Sequence, residues 1–356
     1  MKRRKRKNKF LVISFILVIL GALSYYGYKL VIEDKIFAHE IEKGINQNND
    51  DDSEPEKIIP KLKIIDTDSD SRPFAVMIDN NAAVLQHMGL QDAHIMYEII
   101  VEGGITRFLA VFKDQETAII GPVRSARHYY LDYALENDAV FVHFGHSPQT
   151  LIDIKTLKVN NINGIYDSNT FWRDKTLKAP HNVLTSMEKI KETVAKKKYR
   201  DVTERESLLS YSIEEINYNE EENATVANAI KIQFSSTYYV NYQYDEENKV
   251  YKRFIKGKTH TDKTTNKQYT FKNILVYSIK NEPLINGGAG RQEIKNIGSG
   301  SGHYISNGYA MPITWEKTSR STPTIYKDAD GNILKVNDGN TFIHLQPLNK
   351  TLTIEE

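Results

Sequence analysis

The sequence predicts an α+β protein, with a mixed α/β first domain followed by a mainly antiparallel β second domain and one transmembrane helix before both. Three observations carry this. Up to about residue 204, short apolar runs alternate with segments of helical period; beyond it, runs rich in Tyr, Ile and Val alternate with polar residues between turn signals. The chain has 356 residues, 40% of them hydrophobic and 26% charged, which is too long for one small core and too apolar for disorder. Finally, Phe10 to Ile32 is a 23-residue stretch whose only charge is Lys29.

That stretch is long enough to span a bilayer, and the seven basic residues among Met1 to Lys9 place the N-terminus inside, with Tyr25, Tyr26 and Tyr28 suited to the far interface. The boundaries expected are a cytoplasmic basic tail at 1–9, an anchor at 10–32, an acidic flexible linker at 33–71, a first domain at 72–204 and a second at 205–350. A cleaved signal peptide is the competing reading, since Ala22-Leu23-Ser24 fits a small-x-small cleavage site. Either way the bulk of the chain is extracytoplasmic. Residues 1–32 hold eight of the 47 Lys+Arg and no acid, leaving 39 bases against 46 acids, a net −7 that argues against a nucleic-acid partner. The linker, centred on NQNNDDDSEPE, reads as a solvated tether.

In the first domain, FAVMID at Phe74–Asp79 is a buried strand that delivers Asp79 and Asn80 at its carboxyl end, unless the Asx residues only shape a turn. Gly103-Gly104 lies between Ile95–Val101 and Ile105–Phe112, the pattern of a hairpin closed by a two-residue loop. In that register Glu102 faces Ile105, Ile100 faces Arg107 and Glu98 faces Leu109. Glu98, Glu102 and Arg107 then share one face. Pro122 after Gly121 fits the first position of a helix, putting Arg124, Ser125 and Arg127 in its first two turns. Cations are disfavoured there by the helix dipole, so the arginines either pair with Glu98 and Glu102 or hold an anion. The hairpin and this segment are expected to adjoin, with Arg124 or Arg127 in a salt bridge to Glu98 or Glu102.

Further along, AVFVHFGHSP reads as a strand with His143 and His146 on opposite sides, so neither is a metal ligand and His146 is the one suited to line a cleft. PQTLIDIKTLKV and TSMEKIKETVAKK read as helices, the second with Thr185 and Glu188 in capping-box spacing. NTFWRDKTLKAPHNV, with Trp172, Arg173, Lys175 and His181, is a loop that either packs or covers a site. GGAGR at 287–291 and GSGSG at Gly298–Gly302 lack the strand, helix and lysine of a phosphate loop and read as flexible connections. Cysteine is absent, which removes disulfides, thiol catalysis and cysteine metal sites.

RPFAVMIDNN, YEIIVEGGITRFLAVF and IGPVRSAR, with the later GHYISNGYAMPITWEK and DGNTFIHLQP, resemble the signature segments of the YerB-like lipoprotein family of Gram-positive bacteria. The resemblance covers roughly Arg72 to Pro347. It implies export and membrane attachment, and brings no established activity. A lipoprotein would carry a lipid-modified cysteine; with none here, attachment falls to the apolar stretch.

The function expected is a membrane-anchored extracytoplasmic protein of the cell envelope that binds an anionic or sugar-bearing ligand through Asp79, Asn80, Glu98, Glu102, Arg107, Arg124, Ser125, Arg127, His146 and Arg173. No metal or cofactor is expected. Its partners are the membrane and, as candidates, a cell-wall polymer, a lipid-linked precursor or other envelope proteins. The alternatives are an envelope phosphotransferase or hydrolase using Asp79, Glu98 and Glu102, and an adaptor acting through its β domain.

Overall fold

In the computed structural model, which describes residues 61–81, 87–285, 288 and 290–356, the first apolar run forms a strand, β1, at Phe74–Asp79. Its Ala75 to Ile78 are wholly buried because both faces of the sheet around it are covered. Beside it run β2 (Ile95–Ile100), β3 (Thr106–Phe112), β4 (Val140–His143) and β5 (Asn161–Asn163). β1 pairs antiparallel with β3 and parallel with β4, and β4 pairs parallel with β5.

This sheet does not stop at the end of the first domain. The strand Thr341–Pro347 pairs parallel with β2 and also with Asn273–Ile279, which continues through Gly298–Ser306 and Tyr309–Lys317 into an 11-stranded sheet. The part before residue 205 is mixed α/β and the part after it mainly β, as expected, and the two halves share one sheet. A six-stranded antiparallel sheet, including Ala229–Gln233, Tyr239–Asp245 and Val250–Ile255, covers one face of it. The layer between them holds Val76, Phe108, Phe342, Ile230, Tyr251 and Phe271. On the other face lie α1 (Tyr130–Glu136) and α2 (Pro148–Thr156), which bury Tyr130, Tyr133 and Ile154 against Tyr97, Leu109 and Phe141.

Four expectations need correction. No helix begins at Pro122. Residues 120–127 run extended, because their backbone groups find partners in neighbouring segments: Ile120 N–H donates to Thr185 O, Val123 N–H to Val183 O, Arg124 N–H to Met77 O and Ala126 N–H to Gly145 O. The helix α3 (Met187–Lys197) is capped by Ser186, whose hydroxyl accepts from Lys189 N–H, while Thr185 lies in a strand and donates its hydroxyl to Thr170 O. Gly298–Gly302 is the first half of a strand, not a loose connection. Its glycines admit close neighbours, since a Cβ at Gly300 would lie 2.8 Å from Trp315 Nε1 and one at Gly302 would lie 2.5 Å from Val276 O. The linker does not run as far as residue 71: Lys63 and Ile64 N–H donate to the Asp338 carboxylate at 2.8 and 3.0 Å, and Ile65 is buried.

The basic tail, the anchor and linker residues 33–60 lie outside the described residues, as do 286, 287 and 289 of the GGAGR region. Among the described residues no helix is long and apolar enough to cross a membrane.

Candidate functional site

The hairpin register is the decisive local detail. Gly103 and Gly104 both adopt left-handed backbone (φ 72° and 71°), and Val101 N–H donates to Ile105 O at 2.8 Å, so the loop holds three residues instead of two. Glu98 therefore faces Phe108, and Ile99 faces Arg107. A slip of one residue turns a side chain to the other face of the sheet, and the expected shared face of Glu98 and Arg107 does not form.

Glu98 faces the layer between the two sheets and is fully buried. Its Oε2 accepts from Arg253 Nη2 at 2.8 Å and lies 3.2 Å from His344 Nδ1. Its Oε1 accepts from Thr106 Oγ1 at 2.6 Å and from Tyr238 OH at 2.8 Å. Asn80 turns inward as well, donating to Thr106 Oγ1 and Tyr238 OH. Burial alone would raise the Glu98 pKa; the Arg253 charge, together with His344 and Thr106, overrides that and holds it at about 2. Glu98 and Asn80 thus leave the candidate site and belong to a sealed brace between the sheets, closed by Arg253, His260, Tyr242 and His344. None of those four was singled out from sequence. The signal for Arg253 was its place between Tyr251 and Ile255 on the inward face of an alternating strand.

Arg107 lies at the start of β3, on the other face, beside the carboxyl ends of β1 and β4. In open α/β sheets that edge is where ligands bind. Asp79, at the end of β1, is its strand partner. The extended segment 124–127 lies across the same edge, tied to it by Phe144 N–H donating to Arg124 O and Ala126 N–H donating to Gly145 O. Around it are Arg124, whose Nε is 3.3 Å from Asp79 Oδ2, and His181, whose Nδ1 is 2.6 Å from the same oxygen. Arg127 grips Glu102 with two hydrogen bonds, Nε to Oε1 at 2.6 Å and Nη2 to Oε2 at 3.0 Å. The expected contact between the Gly-Gly turn and this segment is thus present, through Arg127 and Glu102, in a half-buried setting. From the second half of the chain Arg291, on the hairpin after Ile279, comes within 4.0 Å of Glu102.

Electrostatically the edge is cationic, with Arg107, Arg124 and Arg127 against Asp79 and Glu102. Arg107 is only 7% exposed, and its Nη1 donates to Ser125 O. Its Nε has no hydrogen-bond acceptor among the described residues. Burial and the nearby Arg127 charge lower its pKa to about 10. Burial would raise Glu102, but the Arg127 hydrogen bond and charge hold it below its ordinary value. Ser125 Oγ is taken by Phe144 O at 3.1 Å. His146 pairs with Ala126 through the backbone, and its buried Nε2 also has no partner among the described residues. Arg173 is one step removed, donating to Asn182 Oδ1 at 2.7 Å and stacked over Phe144 with its guanidinium carbon 5.2 Å from the ring centre. His181, named in sequence only as part of a loop, is the addition that folding makes.

Immediately after Arg127, His128 and Tyr129 line a cleft of about 450 Å³ with Asp132, Asp153, Glu293 and Arg320. Arg320 bridges Asp132 and Asp153 there at 2.6 and 2.7 Å. Burial raises Asp132 to about 6 against the pull of Arg320. Among the described residues no group of three His, Cys, Asp or Glu side chains is placed to hold a metal ion.

Comparison with known proteins agrees with this architecture. Residues 62–200 match the N-terminal domain of a family described as "Protein of unknown function (DUF3048)", and residues 230–343 match the C-terminal domain of that family. The chain is 32% identical over 281 residues to the Bacillus subtilis protein named "Putative lipoprotein YerB", covering 78% of this chain and 82% of the relative. The crystal structure of YerB from Bacillus subtilis superimposes with a TM-score of 0.70 at 28% identity, over 80% of this chain and 94% of that one. With both domains matched in order, and a relative of this identity covered over most of its length, the chain is a member of the DUF3048 family, to which its YerB-like segments had pointed.

Proposed function

We propose that this protein works outside the cytoplasmic membrane, held there by its N-terminal apolar stretch, and binds an anionic envelope ligand at the carboxyl edge of the sheet through Arg107, Arg124 and Arg127. One observation carries the ligand reading: a buried guanidinium, crowded by a second, whose Nε has no acceptor among the described residues, with only Asp79 and Glu102 set against the three arginines. A brace built only for stability would pair every buried donor, as the Glu98 cluster nearly does. Localisation rests on the relative's name and on the basic run followed by Phe10–Ile32.

Titrating the full-length protein in nonionic detergent with inorganic pyrophosphate and with cell-wall fragments tests the ligand reading. Binding that falls at least tenfold in Arg107→Ala and Arg124→Ala supports it. Negligible binding of every probe, unchanged by the substitutions, removes it. Protease added to intact protoplasts tests localisation: digestion of everything beyond the membrane segment is expected, and full protection overturns it.

A second reading is favoured by the Asp79–His181 pair, in which a carboxylate orients an imidazole beside arginines, an arrangement suited to general-base hydrolysis of a phosphate ester. It replaces the earlier assignment of Glu98 as a catalytic carboxylate, since Glu98 is sealed between sheets. Turnover of a phosphate ester that is lost in His181→Ala would promote it; no turnover leaves the binding reading alone.

A further inference from the structure

Resting on the binding reading above, we infer that the ligand is amphipathic: an organic phosphate whose anion meets Arg107 and whose apolar or ring-bearing body lies on Ile165 and Tyr166. These two side chains sit in the turn after β5, at the same carboxyl edge, and are 53% and 71% exposed. Single exposed apolar residues are ordinary, but two neighbours held rigidly beside a cationic cluster are not what solvent alone favours.

The turn is fixed from several directions. Tyr166 and Asp167 N–H both donate to Asn163 O at 2.8 Å, and Asn163 N–H donates to Asp167 Oδ2 at 3.0 Å. Asp167 is held in turn by Lys197 of α3 at 2.9 Å. Asn163 Oδ1 accepts from both Gly145 N–H and Ile165 N–H at 3.1 Å, so one side chain ties the turn to the β4 end. Gly145 has left-handed backbone (φ 85°), and a Cβ built on it would lie 3.0 Å from Ser125 Oγ and 3.6 Å from Ile165 Cδ1. Ile165 Cδ1 and Ser125 Oγ thus both border Gly145, and the Ser125 carbonyl accepts from Arg107 Nη1. The apolar turn and the buried cation are thus linked through Gly145 and Ser125.

The rigid turn matters energetically. A side chain on a fixed backbone loses less freedom when it is covered, so Tyr166 contributes contact area at low entropic cost. A bare inorganic anion would use none of that surface.

The test compares inorganic phosphate with phenyl phosphate by calorimetry on the full-length protein in nonionic detergent, with wild type, Tyr166→Ser, Ile165→Ser and Arg107→Ala. The expected result is that phenyl phosphate binds about tenfold tighter than inorganic phosphate. Tyr166→Ser and Ile165→Ser should erase most of that difference while leaving inorganic phosphate unchanged. Both are exposed turn positions, and their melting temperatures check that folding is intact. Equal affinity for the two phosphates, lost together in Arg107→Ala, overturns the amphipathic ligand and leaves the binding reading standing. No binding of either overturns both.

Discussion

The carboxylate of Glu98 and the guanidinium of Arg253 meet at 2.8 Å between two sheets, with neither side chain reaching solvent. Glu98 comes from β2 in the first half of the chain and Arg253 from the six-stranded sheet in the second. The pair fastens the two sheets at one point. Phe108 and Phe342 lie against the guanidinium at 5.0 and 4.9 Å, so even its faces are dry.

Breaking this pair should be expensive. Arg253→Ala leaves the Glu98 charge uncompensated in the interior, and a loss of about 3–5 kcal/mol is expected. Urea unfolding measures it, and a loss under about 1 kcal/mol would show that the pair is not what holds the sheets together.

Acid should destabilise the protein in two steps. Buried His87, His94 and His143 have pKa values lowered to about 4 from 6.5, chiefly by desolvation. The unfolded chain binds their protons first, so stability falls as pH drops from 6.5 toward 4. Glu98 adds stability that is present above about 4.5 and lost as pH falls toward about 2. Melting temperature followed against pH should show both limbs, and in Glu98→Gln only the lower one should flatten.

The Arg127–Glu102 bridge lies between the exposed and buried extremes, its side chains 13% and 19% exposed. A double-mutant cycle with Arg127→Ala and Glu102→Ala should give a coupling between about 1 and 3 kcal/mol, above the surface-pair range and below the buried one. Coupling near zero would mean that the turn is held by its backbone alone.

Arg107 should separate stability from binding. If its charge serves a ligand, Arg107→Met costs less than about 1.5 kcal/mol or even stabilises, because an apolar side chain replaces an incompletely paired buried cation. Pyrophosphate binding should vanish in the same variant. A loss of stability as large as that of Arg253→Ala would instead make Arg107 a second brace.

Sequence by itself determined most of the elements and part of the edge. Phe74–Asp79 is a strand because six apolar-to-acidic residues bury along their length, and the alternation in Val250–Ile255 gives an antiparallel strand whose side chains see a core on one side only. Thr341–Pro347, by contrast, is buried throughout and pairs parallel. Local chemistry also placed a charged turn near Arg127. What it could not decide was which way Glu98 points, because a loop of two residues and one of three differ only in how Gly103 and Gly104 close against Ile105, and a slip of one residue reverses every side chain. Nor could it decide that residues 120–127 are extended, since Pro122 suits a helix start and a strand edge equally until Met77, Val183 and Gly145 offer partners. Those partners, like Arg253 and His344 around Glu98, come from far along the chain. Only the folded sheet brings them within hydrogen-bond reach, and so tertiary structure alone divided one expected site into a sealed brace and a partly buried cationic edge.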